Sequence, residues 1–173
     1  MLKDKKGVSL LELVFVIAII GIMASLFVLS YRKSEKDYIV EQAAQKFAAD
    51  IRSTQTKSLA GEKAGSDSPK GWGIRIKTTS PASYSFMYYY LQDLDGNKCP
   101  SAGESPKEYG SPIILDSNIS FDNSVGDEIF FAIPFAQGCI NKNSLTPNIT
   151  FKFKLNGALK ESVFVTKYGQ VEI

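Results

Sequence analysis

Leu13–Tyr31, LVFVIAIIGIMASLFVLSY, decides the architecture of this chain: 19 consecutive residues without a charge. As a helix rising ~1.5 Å per residue this stretch is ~28 Å long, close to the ~30 Å hydrocarbon thickness of a bilayer. Lys3, Lys5 and Lys6 precede it against a single Asp4. The positive-inside tendency therefore places the N-terminus in the cytoplasm and the chain after Arg32 outside, with Arg32 and Lys33 weakening the asymmetry. A cleavable signal peptide is the competing reading. Its apolar core runs to ~7–15 residues and ends at a small-x-small site. Here the span is longer, SYRKSEKD follows it, and Glu12 sits among Val8, Leu10, Leu11 and Leu13, where a signal peptide has no use for a carboxylate.

Working outward, the helical pattern continues past the span. Between Val8 and Ala60 there is no proline, and Gly21 is the only glycine. Val40, Ala43, Ala44, Phe47, Ala48, Ile51 and Leu59 recur at helical spacing and form one apolar stripe, with charged residues on the other faces. Gly61 supplies a C-cap. An unbroken helix from Val8 to Ala60 has 53 residues and measures ~80 Å, half of it in the membrane and half outside with its stripe under other structure.

Residues 61–71, GEKAGSDSPKG, read as a loop or linker. From Trp72 the period changes to two: Trp72, Ile74 and Ile76 alternate with Gly73, Arg75 and Lys77. Further strands are expected at Tyr84–Leu91, Pro112–Leu115, Ile119–Phe121, Ile129–Ile133, Phe151–Leu155 and Ser162–Thr166, with Val171–Ile173 after a turn at Tyr168-Gly169. Asn156-Gly157 is a strong hairpin signal. The expected fold is α+β, a long N-terminal helix packed on a small antiparallel β-sheet or sandwich. The layout is residues 8–60 as helix with a transmembrane span about 13–31, 61–71 as linker, and 72–173 as an extracytoplasmic β-domain.

Composition narrows the function. There is no histidine, so no Ser-His-Asp or Cys-His nucleophile and no histidine-ligated zinc or haem. Two cysteines cannot complete a four-thiolate site. The net charge is +2 for the chain, and residues 61–173 carry 11 basic against 12 acidic side chains, 11 − 12 = −1. Nucleic acid is therefore not expected as a partner. No carboxylate pair suited to acid–base catalysis stands out, and a non-enzymatic role is expected.

The segment KKGVSLLELVFVIAIIGIMASL resembles the leader and first helix of type IV prepilins and of type II secretion pseudopilins. The resemblance lies in Gly7–Leu26: a basic leader, a glycine, one glutamate at a fixed offset and an uninterrupted apolar span. It implies that a prepilin peptidase cuts after Gly7, that residues 1–7 are the leader, that Val8 becomes a methylated N-terminus, and that Glu12 is the fifth mature residue. It further implies a pilin-like fold, an inner-membrane stage with one pass, and assembly with other pilin or pseudopilin subunits into a pilus or pseudopilus. Valine stands where phenylalanine is commoner, and the span lacks the proline that kinks major pilins, which points to a minor component. Three shorter stretches, AADIRSTQTKSLA, GWGIRI and VTKYGQVEI, resemble H-type minor pseudopilins and FimT-type minor pilins. The Gly-Arg-x-Arg pattern of DNA-binding FimT-like proteins is replaced by Gly169-Gln170-Val171-Glu172, which argues against DNA uptake.

Glu12 carries chemistry of its own. A carboxylate near a membrane interior costs several kcal/mol unless paired or neutralised. Cleavage after Gly7 creates an α-amino group on Val8, and between staggered parallel helices that amine can meet a neighbour's Glu12, recruiting the next subunit and setting its register. Cys99 and Cys139, both expected in extracytoplasmic loops, favour a disulfide on grounds of compartment, two free thiols being the alternative. Asp93, Asp95, Asn97 and Glu104 fall at spacings that suit calcium, although Lys98 occupies the place of the usual glycine; a plain hairpin loop around Asp95-Gly96 is the other reading. Tyr84, Phe86, Tyr88 and Tyr90 share a strand face with Tyr89 opposite, and a sheet core is preferred to a base-stacking platform. The function expected is a non-enzymatic minor pilin or pseudopilin subunit, the alternative being a monomeric membrane-tethered module that binds calcium, DNA or a surface ligand.

Overall fold

The computed structural model describes residues 10–80, 83–92, 99–100, 104–124, 126–134, 137–142 and 147–173. Among these residues one helix, α1 (Leu10–Ala60), precedes nine strands: β1 (Gly71–Ser80), β2 (Ser83–Leu91), β3 (Lys107–Ile114), β4 (Ile119–Phe121), β5 (Glu128–Ala132), β6 (Gln137–Ile140), β7 (Asn148–Leu155), β8 (Ala158–Thr166) and β9 (Val171–Glu172). All pairings are antiparallel. They form a five-stranded sheet in the order β3-β2-β1-β5-β6 and a four-stranded sheet in the order β4-β7-β8-β9. The fold is α+β. Contacts divide the chain into one unit ending at Tyr38 and a second from Ile39 to Ile173.

In the second unit α1 is held by a stripe that the sequence shows only in part. Val40, Ala44, Phe47, Ile51, Thr54 and Ser58 are all fully buried, at steps of four and three that follow the 3.6-residue turn. Ala48 joins them. Leu59, expected in the stripe, is instead 58% exposed. It lies ~100° around the helix from Ser58, and the hydroxyls of Thr54 and Ser58 take the positions assigned to an apolar residue. The helix ends as Gly61 predicts. Gly61 adopts φ +61°, its N–H donates to Ser58 O at 3.2 Å, and Glu62 N–H donates to Lys57 O at 2.9 Å, the two bonds of a Schellman cap.

Phe47 is the centre of the core. Its ring lies 4.7 Å from Phe86 of the five-stranded sheet and 4.9 Å from Phe151 of the four-stranded sheet, with Phe121 and Phe153 at 5.7 Å. The helix thus packs where the inner faces of both sheets meet. On the five-stranded sheet the period of two holds: Trp72 pairs with Tyr90 and Phe131, and Ile74 with Tyr88 and Ile129, all on the helix side. Phe86, Tyr89 and Tyr90 are buried and Tyr88 packs partly buried against the core, so these four aromatics are core side chains; the side chain of Tyr84 lies outside those described.

The opposite face of that sheet carries a second cluster. Gly73 pairs with Tyr89 on one side and Phe130 on the other, and the two rings stack 5.9 Å apart. A Cβ on Gly73 would stand 2.5 Å from the Tyr89 ring, and one on Gly71 would collide with Phe130. The glycines of GWG are there because rings lie across the strand, not for backbone freedom. Cys139 pairs with Phe130 on this face and is bridged to Cys99, with the Cα atoms 5.5 Å apart. The expected location of Cys139 in a loop is corrected: it belongs to β6, a four-residue strand without a legible alternation. Arg75 crosses the Tyr89 ring at 4.7 Å and pairs with buried Glu128 at 2.5 Å. β3 also begins earlier than expected, at Lys107, because a bulge between its pairs with Phe86 and Tyr88 accommodates Gly110 and Pro112. Asn156-Gly157 turns β7 into β8 with both residues at positive φ, 50° and 83°, as a type I′ hairpin requires.

Candidate assembly site

The apolar part of α1 contains no proline, and a helix satisfies every backbone N–H and C=O within the segment, as an apolar surround requires even of a stretch rich in β-branched isoleucine and valine. Leu10–Phe27 is an 18-residue window of mean hydropathy 2.7, of which none is buried. It is long and apolar enough to cross a membrane. Leu10, Leu13, Phe15, Ile17, Ile20 and Phe27 are each more than half exposed. Side chains apolar on every face have no aqueous solution to their exposure, so lipid or neighbouring helices must cover them. Gly21 has open space around its missing side chain, so nothing within the single chain requires a glycine there. Ser25 returns its hydroxyl to Ile22 O at 2.7 Å, satisfying its polar group within the helix as an apolar surround demands.

Glu12 occupies the first described turn of this helix and is exposed. It is the only acidic or basic residue of the Leu10–Phe27 window. Gly7 and Val8 lie outside the described residues, as do Asp93, Asp95 and Asn97 of the calcium expectation. Glu104, the fourth member of that set, is half-buried. Among the described residues, no group of three or more Cys, Asp or Glu side chains stands together as a metal site. Cys99 and Cys139 are brought together as a disulfide.

At the other end of α1 the structure unites three stretches that are separate resemblances along the chain. Arg52 donates from Nη2 to Val171 O at 2.8 Å, and Gln55 from Nε2 to Tyr168 O at 3.2 Å. Gly169, at φ +82°, leaves room for the Gln55 amide, with which any Cβ would collide. Ser58 donates to Phe131 O at 2.8 Å and accepts from Trp72 N–H at 3.2 Å. The Trp72 indole donates to Glu62 O at 3.1 Å. AADIRSTQTKSLA, GWGIRI and VTKYGQVEI are thus the helix end, the strand it rests on and the C-terminal strand it clasps. Polar residues do this work, which is why an apolar stripe did not reveal it.

Two further polar ties hold the β-domain. Tyr88 donates its phenol to Asp50 Oδ1 at 2.7 Å, linking sheet to helix. Burial and the Asp50 carboxylate push the Tyr88 phenol far above its ordinary range. Asp67 accepts from Tyr90 at 2.7 Å and from Lys107 at 3.1 Å. These bonds hold the Asp67 carboxyl below the usual carboxylate range and raise the Tyr90 phenol above its own.

The family model for the prokaryotic N-terminal methylation motif matches residues 2–28. That match covers the basic residues, Gly7, Glu12 and the apolar span, and defines the chain's N-terminus as a type IV pilin-like leader and helix. Motif and apolar helix together point to membrane anchoring. Comparison with curated proteins and with solved structures gave no match.

Proposed function

We propose that this chain is a non-enzymatic minor subunit of a type IV pilus or type II secretion pseudopilus, of the kind represented by H-type pseudopilins and FimT-type pilins. A prepilin peptidase removes residues 1–7, and Val8 becomes the N-terminus. The apolar segment holds the subunit in the inner membrane with the β-domain outside. Assembly then transfers the apolar helix from lipid to neighbouring helices, and Glu12 pairs with the Val8 amine of the next subunit. The observation that carries this reading is the methylation motif over residues 2–28 laid on a helix whose apolar window Leu10–Phe27 has no buried residue. A membrane-tethered monomer shares the span but has no use for the cleavage or for Glu12.

Processing is the first test. Coexpression of the full chain with a prepilin peptidase is expected to remove Met1–Gly7, seven residues, and to leave Val8 at the N-terminus with a methyl group. Intact mass and N-terminal peptide mapping read the result. Retention of Met1, or a cut beyond Ser30, contradicts the proposal.

A further inference from the structure

We propose that Asn118 is an N-glycosylation acceptor, modified on its side-chain amide by a glycan delivered from a polyprenyl-diphosphate carrier. The inference rests on the extracytoplasmic placement of the β-domain proposed above. Asn118-Ile119-Ser120 has the Asn-x-Ser acceptor pattern, with a residue other than proline in the middle. Asn118 is exposed in the turn between β3 and β4. That turn is preformed. Ile119 N–H donates to Asp116 O at 2.9 Å, and both the backbone N–H and the side-chain Nδ2 of Asn118 donate to Asp116 Oδ1 at 2.9 Å. Asn156 N–H holds the Asn118 carbonyl from the neighbouring hairpin at 3.1 Å. Ile119 and Phe121 point into the core, at 1% and 5% exposure, so strand alternation turns Ser120 outward.

The strand behind the turn is three residues long and lies at the sheet edge, paired with β7 alone. Asp116, Ser117 and Asn118 are all exposed ahead of that strand, so a transferase reaches the acceptor amide without drawing Ile119 or Phe121 from the core. A second pattern, Asn148-Ile149-Thr150, supplies the contrast. It lies within β7 and not in a turn: Asn148, Ile149 and Thr150 are paired along β8 to Thr166, Val165 and Phe164, and Thr150 O accepts from Asn123 Nδ2 at 2.9 Å, so the extended backbone is held in the ladder.

The reaction forms a bond between Asn118 Nδ2 and the anomeric carbon of the glycan. The anomeric C–O bond to the carrier breaks, and polyprenyl diphosphate leaves with the electron pair. One of the two Nδ2 protons passes to a base of the transferase, and nothing is oxidised or reduced. The amide keeps one N–H, which can still donate to Asp116.

The test uses the full chain expressed in a bacterium with an extracytoplasmic oligosaccharyltransferase and a polyprenyl-diphosphate-linked oligosaccharide of known mass. Intact mass should show one glycan adduct. Asn118→Gln and Ser120→Ala should each lose it, the second while preserving the Asn118 bonds to Asp116, and Asn148→Gln should keep it. Alkylation of unreduced chain reports export through the Cys99–Cys139 bridge. Bridged chain without the adduct, or an adduct that survives in Asn118→Gln, overturns the acceptor assignment. Alkylatable thiols would show a chain retained in the cytoplasm, overturning the placement and the proposal with it.

Discussion

Asp67 shows how one side chain links stability to pH here. Bonds from Tyr90 and Lys107 depress its carboxyl, so the charged form is favoured in the folded state. The contribution is therefore fully present above the ordinary carboxylate pKa of about 4 and is lost as pH falls through the lower folded value. Tyr90 has the opposite sense: its raised phenol contributes below the ordinary value of about 10 and loses that contribution as pH rises further. Asp67→Asn should lower the urea midpoint of the full chain in mild detergent at neutral pH, and the gap from wild type should close below about pH 4. A gap that stays constant down to pH ~2.5 would show that Asp67 ionisation is not the cause. The sequence carries no sign of this network, because Asp67, Tyr90 and Lys107 are separated by 23 and 40 residues along the chain and meet only through the fold.

At the scale of elements, hydrophobic period was legible and polar docking was not. Val40, Ala44, Phe47, Ala48 and Ile51 are read directly from helical spacing, and Trp72, Ile74 and Ile76 from alternation. Leu59 was misread because hydropathy ranks it above Ser58, whereas position on the helix ranks it below. β6 escaped notice because Gln137–Ile140 is short and includes Gly138, whose N–H donates to Lys167 O at 2.6 Å where the two sheets approach. Phe47→Ala and Leu59→Ala separate these two kinds of reading. Removing the Phe47 ring from the centre of the core should destabilise the β-domain by ~3–5 kcal/mol, while Leu59→Ala should stay within ~0.5 kcal/mol of wild type. Urea denaturation of the full chain in detergent, with the slope checked for constancy, measures both. Equal effects would place Leu59 in the core after all.

For the whole molecule, a disulfide ties the second unit, and the proposed assembly through Glu12 concerns the first. The Cys99–Cys139 bridge spans 40 residues of sequence and should contribute roughly 4 kcal/mol in the chain-entropy account. Reduction of the full chain is expected to lower its denaturation midpoint by a corresponding amount while leaving the helical signal of the apolar segment in place; an unchanged midpoint would contradict that contribution. The Leu10–Phe27 segment has no such internal support, since none of its residues is buried. Its cover must come from lipid or from neighbouring helices, and in the assembly proposed above Glu12 distinguishes the two. Glu12→Ala removes the cost of a carboxylate in an apolar surround, so the variant should enter the membrane at least as well as wild type. The decisive measurement is the fraction of wild-type and Glu12→Ala protein in filaments sheared from cells, relative to the membrane pool. Wild-type chain in the filaments, with the Glu12→Ala variant confined to the membrane and its β-domain folded, is the expected result. Wild-type chain absent from the filaments, or the variant incorporated as well as wild type, would contradict assembly through Glu12.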